Sequence, residues 1–222
     1  MAPRPETKNR NMNMRPHRLT AIVLAILLSL SAGGLPSHPA AAATASELIS
    51  AFHDSLLGVM KEAKVLGIKG RYDRLASPVE RSFNLPLMIQ VAAGSYWQQA
   101  GPEQIGRLVA AFTRLSIGTY ASKFDGYSGE SFESRGEKPG PQNTTLVSTR
   151  IVKASGSPVE IVYVTRQTKG EWRIVDVLVD NGISELAVRR SEYRAILQSG
   201  GVDGLITTLN TKTDQLLNEK PK

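Results

Sequence analysis

The chain reads as an α+β domain on three observations. Helical apolar periodicity fills residues 44–125, two-residue alternation takes over in four segments across 129–180, and helical spacing returns over 183–218. Short turns between consecutive strands imply an antiparallel, curved meander, so the helices on either side of it in sequence are expected to cover a face of that sheet.

The elements follow in order. ASELISAFHDSLLGVMKEAKVLG places Leu48, Phe52, Leu56, Val59 and Met60 along one helical stripe. A Pro-started helical turn in SPVERSF and a helix in NLPLMIQVAAGSYW come next. GPEQIGRLVAAFTRLSIGTYASKF has Pro102 in its first turn and lines Ile105, Leu108, Val109, Phe112, Leu115, Tyr120 and Phe124 on one face. The strand candidates are GESFESRGEK, TTLVSTRIVK, PVEIVYVTRQ and EWRIVDVLVD, separated by the turn-rich GPQN, SGS and TKG. GEKPGPQNTT, 136–145, holds two prolines and two glycines and no large apolar residue, and is expected to be an exposed, mobile loop. Two helices, SELAVRRSEYRAILQSG and VDGLITTLNTKTDQLL, close the chain.

One strand departs from clean alternation. EWRIVDVLVD carries Val175, Val177 and Val179 on one face and Trp172, Ile174, Asp176 and Leu178 on the other, so only Asp176 interrupts two apolar faces. A sheet with one wet face should alternate. The expectation is therefore either helices on both sides or an enclosed apolar space above one of them.

The N-terminus has a different character. Residues 1–18 carry Arg4, Lys8, Arg10, Arg15 and Arg18 against Glu6, followed by LTAIVLAILLSL and small residues ending HPAAAATAS. A basic stretch, a short apolar run and Ala-x-Ala options at Ala41/Ala43 or Ala43/Ala45 are features of a secretory signal peptide, expected to span 1–43 and to be cut near 43–45. The apolar run, 19–30, is 12 residues long, short of the roughly 20 that span a bilayer. Removing five of 27 basic residues and one of 20 acidic ones leaves 22 against 19, or +3. The remaining 44–222 is sized for one ordinary domain and lacks the concentrated positive field of a nucleic-acid binder, despite the RNA-clamp-like GIKG at 67–70.

Composition also removes chemistry. The chain has no cysteine, and His17 and His38 belong to the leader, so His53 is the one imidazole of 44–222. A Cys/His dyad and a zinc site of the usual Cys/His type are excluded, and a Ser-His-Asp triad would have to use His53, which sits beside Phe52 at the edge of an apolar helical stripe. No phosphate-binding glycine loop, HExxH or calcium loop is present, so no catalytic residue, metal or cofactor is assigned.

FNLPLMIQVAAGSYW (83–97), EQIGRLVAAFTRLSIGTYASKFDGYSGESF (103–132), EWRIVDVLVDNGISELAVRRSEYRAIL (171–197) and GGVDGLITTLNTK (200–212) resemble the MlaC family of periplasmic lipid-binding proteins. GRYDRLASPVERSFNLP, YSGESF and ISELAVRRSEY are most similar to its hopanoid-biosynthesis-associated HpnM branch. The resemblance implies a nuclear-transport-factor-2-like curved sheet, packed with N- and C-terminal helical parts around an apolar pocket. It implies no catalysis. The function it implies is that of a soluble, monomeric periplasmic carrier of hopanoid or phospholipid, docking transiently to an inner-membrane lipid transporter and an outer-membrane acceptor. A non-carrier adaptor of a lipid export complex is the alternative.

Core and pocket residues share one chemistry, so the pocket candidates are apolar side chains from each element. They are Phe83, Met88, Val91 and Trp97, then Phe112, Leu115, Tyr120 and Phe124 from the long helix. The strands offer Val147, Val162, Val164, Val175 and Val177, and the last helical part Tyr193 and Leu197. Trp97 stands out because it follows a helix end at Gly94-Ser95, where a pocket mouth could lie. GISELAVRRSEYRAIL adds a question. Stepping from Ile183 through Leu186, Ala187, Arg190, Tyr193 and Leu197 puts an arginine in an apolar stripe, to pair with Asp176, to snorkel, or to meet a lipid head group.

Overall fold

The computed structural model describes residues 43–179 and 182–218. The expected leader, 1–43, lies outside them apart from its last residue. Helix α1 (Ala45–Lys61) starts at a capping box: Thr44 Oγ1 accepts from the Glu47 amide at 3.1 Å, and Glu47 Oε2 accepts from the Thr44 amide at 2.7 Å. Helix α2 (Ala63–Ser82) is broken at Gly67, and Pro78 lies within it rather than at its start. Its Arg71 is buried and donates to the carbonyls of Ala63 and Ala121, at 3.1 and 2.8 Å.

Asn84 caps α3 (Leu85–Ala93) with its side chain, while its amide donates to the carbonyl of Ile174 at 2.8 Å. That bond, beside the bridge between Phe83 and Ile174, pins the α2–α3 corner to the sheet. Gly94 ends α3, short α4 (Ser95–Gln99) follows, and α5 (Pro102–Lys123) opens with proline at its first turn.

The sheet has order β1-β2-β3-β4-β5, antiparallel throughout: β1 (Ser131–Gly140), β2 (Thr144–Val152), β3 (Val159–Thr168), β4 (Glu171–Val179) and a two-residue β5 (Ile183–Ser184). The α+β class and curved antiparallel sheet expected from the sequence are present. Residues 136–145 are not a loop, however. Glu137–Gly140 pair with Thr144–Val147 in a hairpin whose turn is Pro141-Gln142-Asn143. The prolines and glycines are tolerated because β1 is an edge strand, with a bulge between Ser134 and Glu137 where Gly136 has φ of 92°.

A second bulge explains β4. Val164 pairs with Asp176 but Thr165 pairs with Ile174, so Val175 is an extra residue and the alternation slips by one. Ile174, Val177 and Val179 therefore share one face with Thr165, Tyr163 and Ile161, and Asp176 and Leu178 take the other with Val164 and Val162. The two apolar faces read from the sequence become one inner face with a shifted frame. Ile161, Tyr163, Ile174 and Val177 on that face are buried in a continuous core with Phe52, Phe112 and Leu108 from the helices, whereas Val162, Val164 and Leu178 are half-buried.

Helix α6 (Glu185–Asn218) is two helices merged across Gly201, where φ is 60° and ψ −159°. Its second half is tied to α5 by Asp203, which accepts from Gln104 Nε2 at 2.7 Å and Arg107 at 2.8 Å. Its first residues are capped by Asp176, whose Oδ1 accepts from the Val177 amide at 2.8 Å and the Leu186 amide at 3.0 Å while Oδ2 accepts from Ser184 Oγ at 2.5 Å. Of the alternatives the sequence leaves for Arg190, the ion pair with Asp176 is absent, because Asp176 serves as a helix cap, and Arg190 is exposed. Among the described residues, no helix is long and apolar enough to cross a membrane.

Candidate functional site

Between the inner sheet face and the helices lies a cavity of about 230 Å³. Phe83, Leu85 and Met88 from the pinned α2–α3 corner form one wall, and Phe112, Ser116, Thr119, Tyr120, Lys123 and Phe124 along α5 form another. The sheet contributes Ile151, Val159, Ile161, Tyr163, Val177 and Val179, and α6 contributes Glu185 and Arg189. Small polar residues at Ser116 and Thr119 open the space. Their hydroxyls donate to the carbonyls of Phe112 and Leu115 at 2.8 Å, which removes them as donors to a ligand.

The aromatic wall is braced from behind. Phe52 meets Phe83 and Tyr120 edge-on, each with ring centroids 5.3 Å apart, and Tyr120 stacks with Phe124 at 5.9 Å. Burial pushes the Tyr120 hydroxyl well above its ordinary pKa, against the opposing effect of nearby Arg189. The Tyr163 hydroxyl is pushed up likewise by burial. It lies 3.0 Å from His53 Nε2, and the imidazole ring stacks on Phe132 at 4.0 Å. Desolvation holds the His53 pKa down, at about 4, so the ring is neutral near neutral pH.

Arg189 is the arginine that interrupts the inner stripe of α6. Its guanidinium lies over the Phe112 ring, 6.0 Å from the centroid, and donates a long bond to Tyr193 Oη at 3.5 Å. Burial opposes its charge, but Tyr193, Glu185 and Glu192 outweigh that effect and hold its pKa above the ordinary value.

Of the sequence candidates, the structure brings Phe83, Met88, Phe112, Tyr120, Phe124 and Val177 together around the cavity. The others lie elsewhere. Val91 is exposed, Trp97 packs half-buried on the core from α4, and Leu115, Tyr193 and Leu197 are buried in the core. Val147 lines a separate hollow of about 100 Å³ beside His53, Phe132 and Thr149. Val162 and Val164 occupy the opposite sheet face, and Val175 is the bulge residue. Sequence reasoning missed Ser116, Thr119, Lys123, Glu185 and Arg189 because it sought only apolar residues, and missed Ile161 and Tyr163 by choosing the wrong face of β3. A signal for the second was available: Glu160 and Arg166 share a face with Val162 and Val164 and mark it as the wetter one.

Among the described residues no cluster of three or more His, Cys, Asp or Glu side chains could hold a metal ion. Walls that are mainly aliphatic and aromatic favour an apolar occupant.

A curved antiparallel sheet backed by helices around an apolar cavity defines a small-molecule-binding module rather than a filled core. The model of the MlaC protein family matches residues 50–211, and the chain belongs to that family. Its fold is similar to the solved structure of the phospholipid-binding protein from Ralstonia solanacearum in complex with a phospholipid. The TM-score is 0.69 at 20% identity, covering 78% of this chain and 99% of that one.

Proposed function

We propose that this protein is a periplasmic lipid carrier, exported by a leader over 1–43 and functional as a single domain over 44–222. The observation that supports it most is the cavity between α5 and the inner sheet face, whose walls are mostly aliphatic and aromatic. Each methylene moved from water into such a space gains ~0.8 kcal/mol, so an acyl chain of about 15 methylenes gains on the order of 12 kcal/mol gross. A ligand held that strongly does not leave for buffer at a useful rate. Delivery therefore goes by transient docking to an inner-membrane transporter and an outer-membrane acceptor. The solved phospholipid complex of similar fold supports the lipid class, and the resemblance to the HpnM branch makes hopanoid a second cargo to test.

At about 230 Å³ the cavity is below the roughly 300–1,000 Å³ of ordinary ligand pockets, so loading a whole lipid requires the walls to part. A non-enzymatic role is supported by His53, whose ring is already engaged by Tyr163 and Phe132. Purifying the exported protein from a hopanoid-making host and analysing its organic extract by mass spectrometry tests the proposal. A stoichiometric lipid is expected. A folded protein that is empty in that host would favour the adaptor reading instead.

A further inference from the structure

Val65, in the first turn of α2, is 91% exposed, the largest value among the exposed large apolar side chains of the described residues. Leu66 and Ile68 beside it pack half-buried against the core. Around this corner between α1 and α2, Lys61, Lys64 and Lys69 are exposed, and among the described residues none of them has a carboxylate within 4.0 Å. The arginines here are engaged inside the fold. Arg74 pairs with Glu62 at 3.0 Å, and Arg71 ties the corner to the end of α5 through the carbonyls of Ala63 and Ala121. Two residues past Ala121, Lys123 is exposed and lines the cavity, and Lys61 Nζ lies 5.5 Å from the centroid of the Tyr127 ring, which is 44% exposed. Lys61, Lys64, Lys69, Arg71, Arg74 and Lys123 against Glu62, Asp73 and Asp125 leave an excess of three positive charges, equal to the net charge of the whole of 44–222. The charge of the domain is therefore concentrated beside its most exposed apolar side chain.

We infer that this corner docks on the surface of an anionic bilayer, with Val65 and the Tyr127 ring entering the interface and the lysines lying over the head groups. Protein–protein interfaces are depleted in lysine and centre on Trp, Tyr or Arg anchors, whereas the free cations here are lysines and the arginines are already used. A bilayer surface asks for less geometry. Its diffuse negative charge needs no bidentate partner, each lysine held near it strengthens binding about fivefold, and the lysine stems can lie along apolar surface with their ammonium groups in water. One valine and one tyrosine insert too little to anchor the chain by themselves, so the docking is reversible and depends on the charge. Lys123 belongs both to the corner and to the cavity wall, so a docked molecule presents that end of the cavity to the membrane. The surface is read from exposure and charge, independently of what the cavity holds.

The test is flotation of the exported, purified protein with vesicles of phosphatidylcholine, alone or mixed in equal parts with phosphatidylglycerol. Binding is expected only with the anionic lipid, and should be lost as salt approaches about 1 M, where the screening length is ~3 Å. Lys64→Gln and Lys69→Gln should each weaken it about fivefold. Lys138→Gln and Lys212→Gln, which remove the same charge at exposed positions away from the corner, should change it by less than about twofold. Val65→Ser, which leaves the charge intact, should weaken it about threefold or more. Equal binding to the two kinds of vesicle, or corner variants that match the distant ones, would overturn the proposal. Poly-glutamate that displaces the vesicles while Val65→Ser binds as the wild type does would overturn it too, and would reassign the corner to an acidic macromolecule. Native mass spectrometry of the protein that does not float reads lipid uptake separately. Docking without uptake counts against the carrier reading and leaves this one standing, and uptake without docking does the reverse.

Discussion

The guanidinium of Arg189 sits over the ring of Phe112, 6.0 Å from its centroid, so α6 and α5 meet at the cavity through a cation on an aromatic face. Such contacts contribute ~0.5–2 kcal/mol depending on desolvation. A double-mutant cycle with Phe112→Leu and Arg189→Met, read by denaturant melts of lipid-free protein, should show a coupling in that range. Additivity within about 0.3 kcal/mol would mean that the two only share a wall.

Asp176 and Arg190 should behave independently. Asp176→Ala removes the acceptor for two amides and the Ser184 hydroxyl at the start of α6, and should cost about 2 kcal/mol. Arg190→Ala, at an exposed position, should stay within about 0.5 kcal/mol of wild type. A large loss on Arg190→Ala would restore the ion pair that the sequence suggests.

The buried His53 makes a signed pH prediction. Its native pKa is lowered to about 4 by desolvation, against 6.5 for the ordinary side chain. As pH falls below the unfolded value, the unfolded chain takes up a proton that the native state refuses, so stability drops. The drop begins near pH 6.5, is complete below about pH 4, and amounts to on the order of 3 kcal/mol. In His53→Gln, which retains a partner for Tyr163, this part of the acid slope should vanish. Identical slopes in melts between about pH 7 and about pH 4 would refute the assignment.

Gly201 joins the halves of α6 at a φ of 60° and ψ of −159°, a region essentially closed to other residues, and a Cβ there would meet nothing within 4 Å. Gly201→Ala should therefore destabilise through backbone strain alone, by about 1–3 kcal/mol, measured in the same melts. A neutral effect would show that the kink does not need its glycine.

How much of this was legible in the sequence differs by level. The order of elements was, because 3.6-residue and two-residue periodicities report burial directly, and the break at Gly201 falls between the two helices read there. What failed depended on counts of one residue. The bulge at Val175 shifts the frame of β4, and no local feature of EWRIVDVLVD announces it, since the partner strand decides where the extra residue sits. The stripe of α6 runs through Glu185, Arg189, Tyr193 and Leu197 in steps of four, while stepping from Ile183 lands on Arg190. Ile183 is exposed and belongs to β5, so the phase was set from a residue outside the helix. In the hairpin 136–145, turn-forming composition outweighed pairing, which depends on β2 rather than on the segment itself.

The most direct measurement of the central claim is native mass spectrometry of the exported protein beside Thr119→Trp, a substitution that fills the cavity from α5, where Thr119 lines it. The account predicts one lipid per chain in the wild type and none in the variant, with the two, both stripped of lipid, unfolding within about 3 kcal/mol of each other. A wild-type protein that folds without lipid, or a variant that keeps the same lipid at the same occupancy, would contradict it.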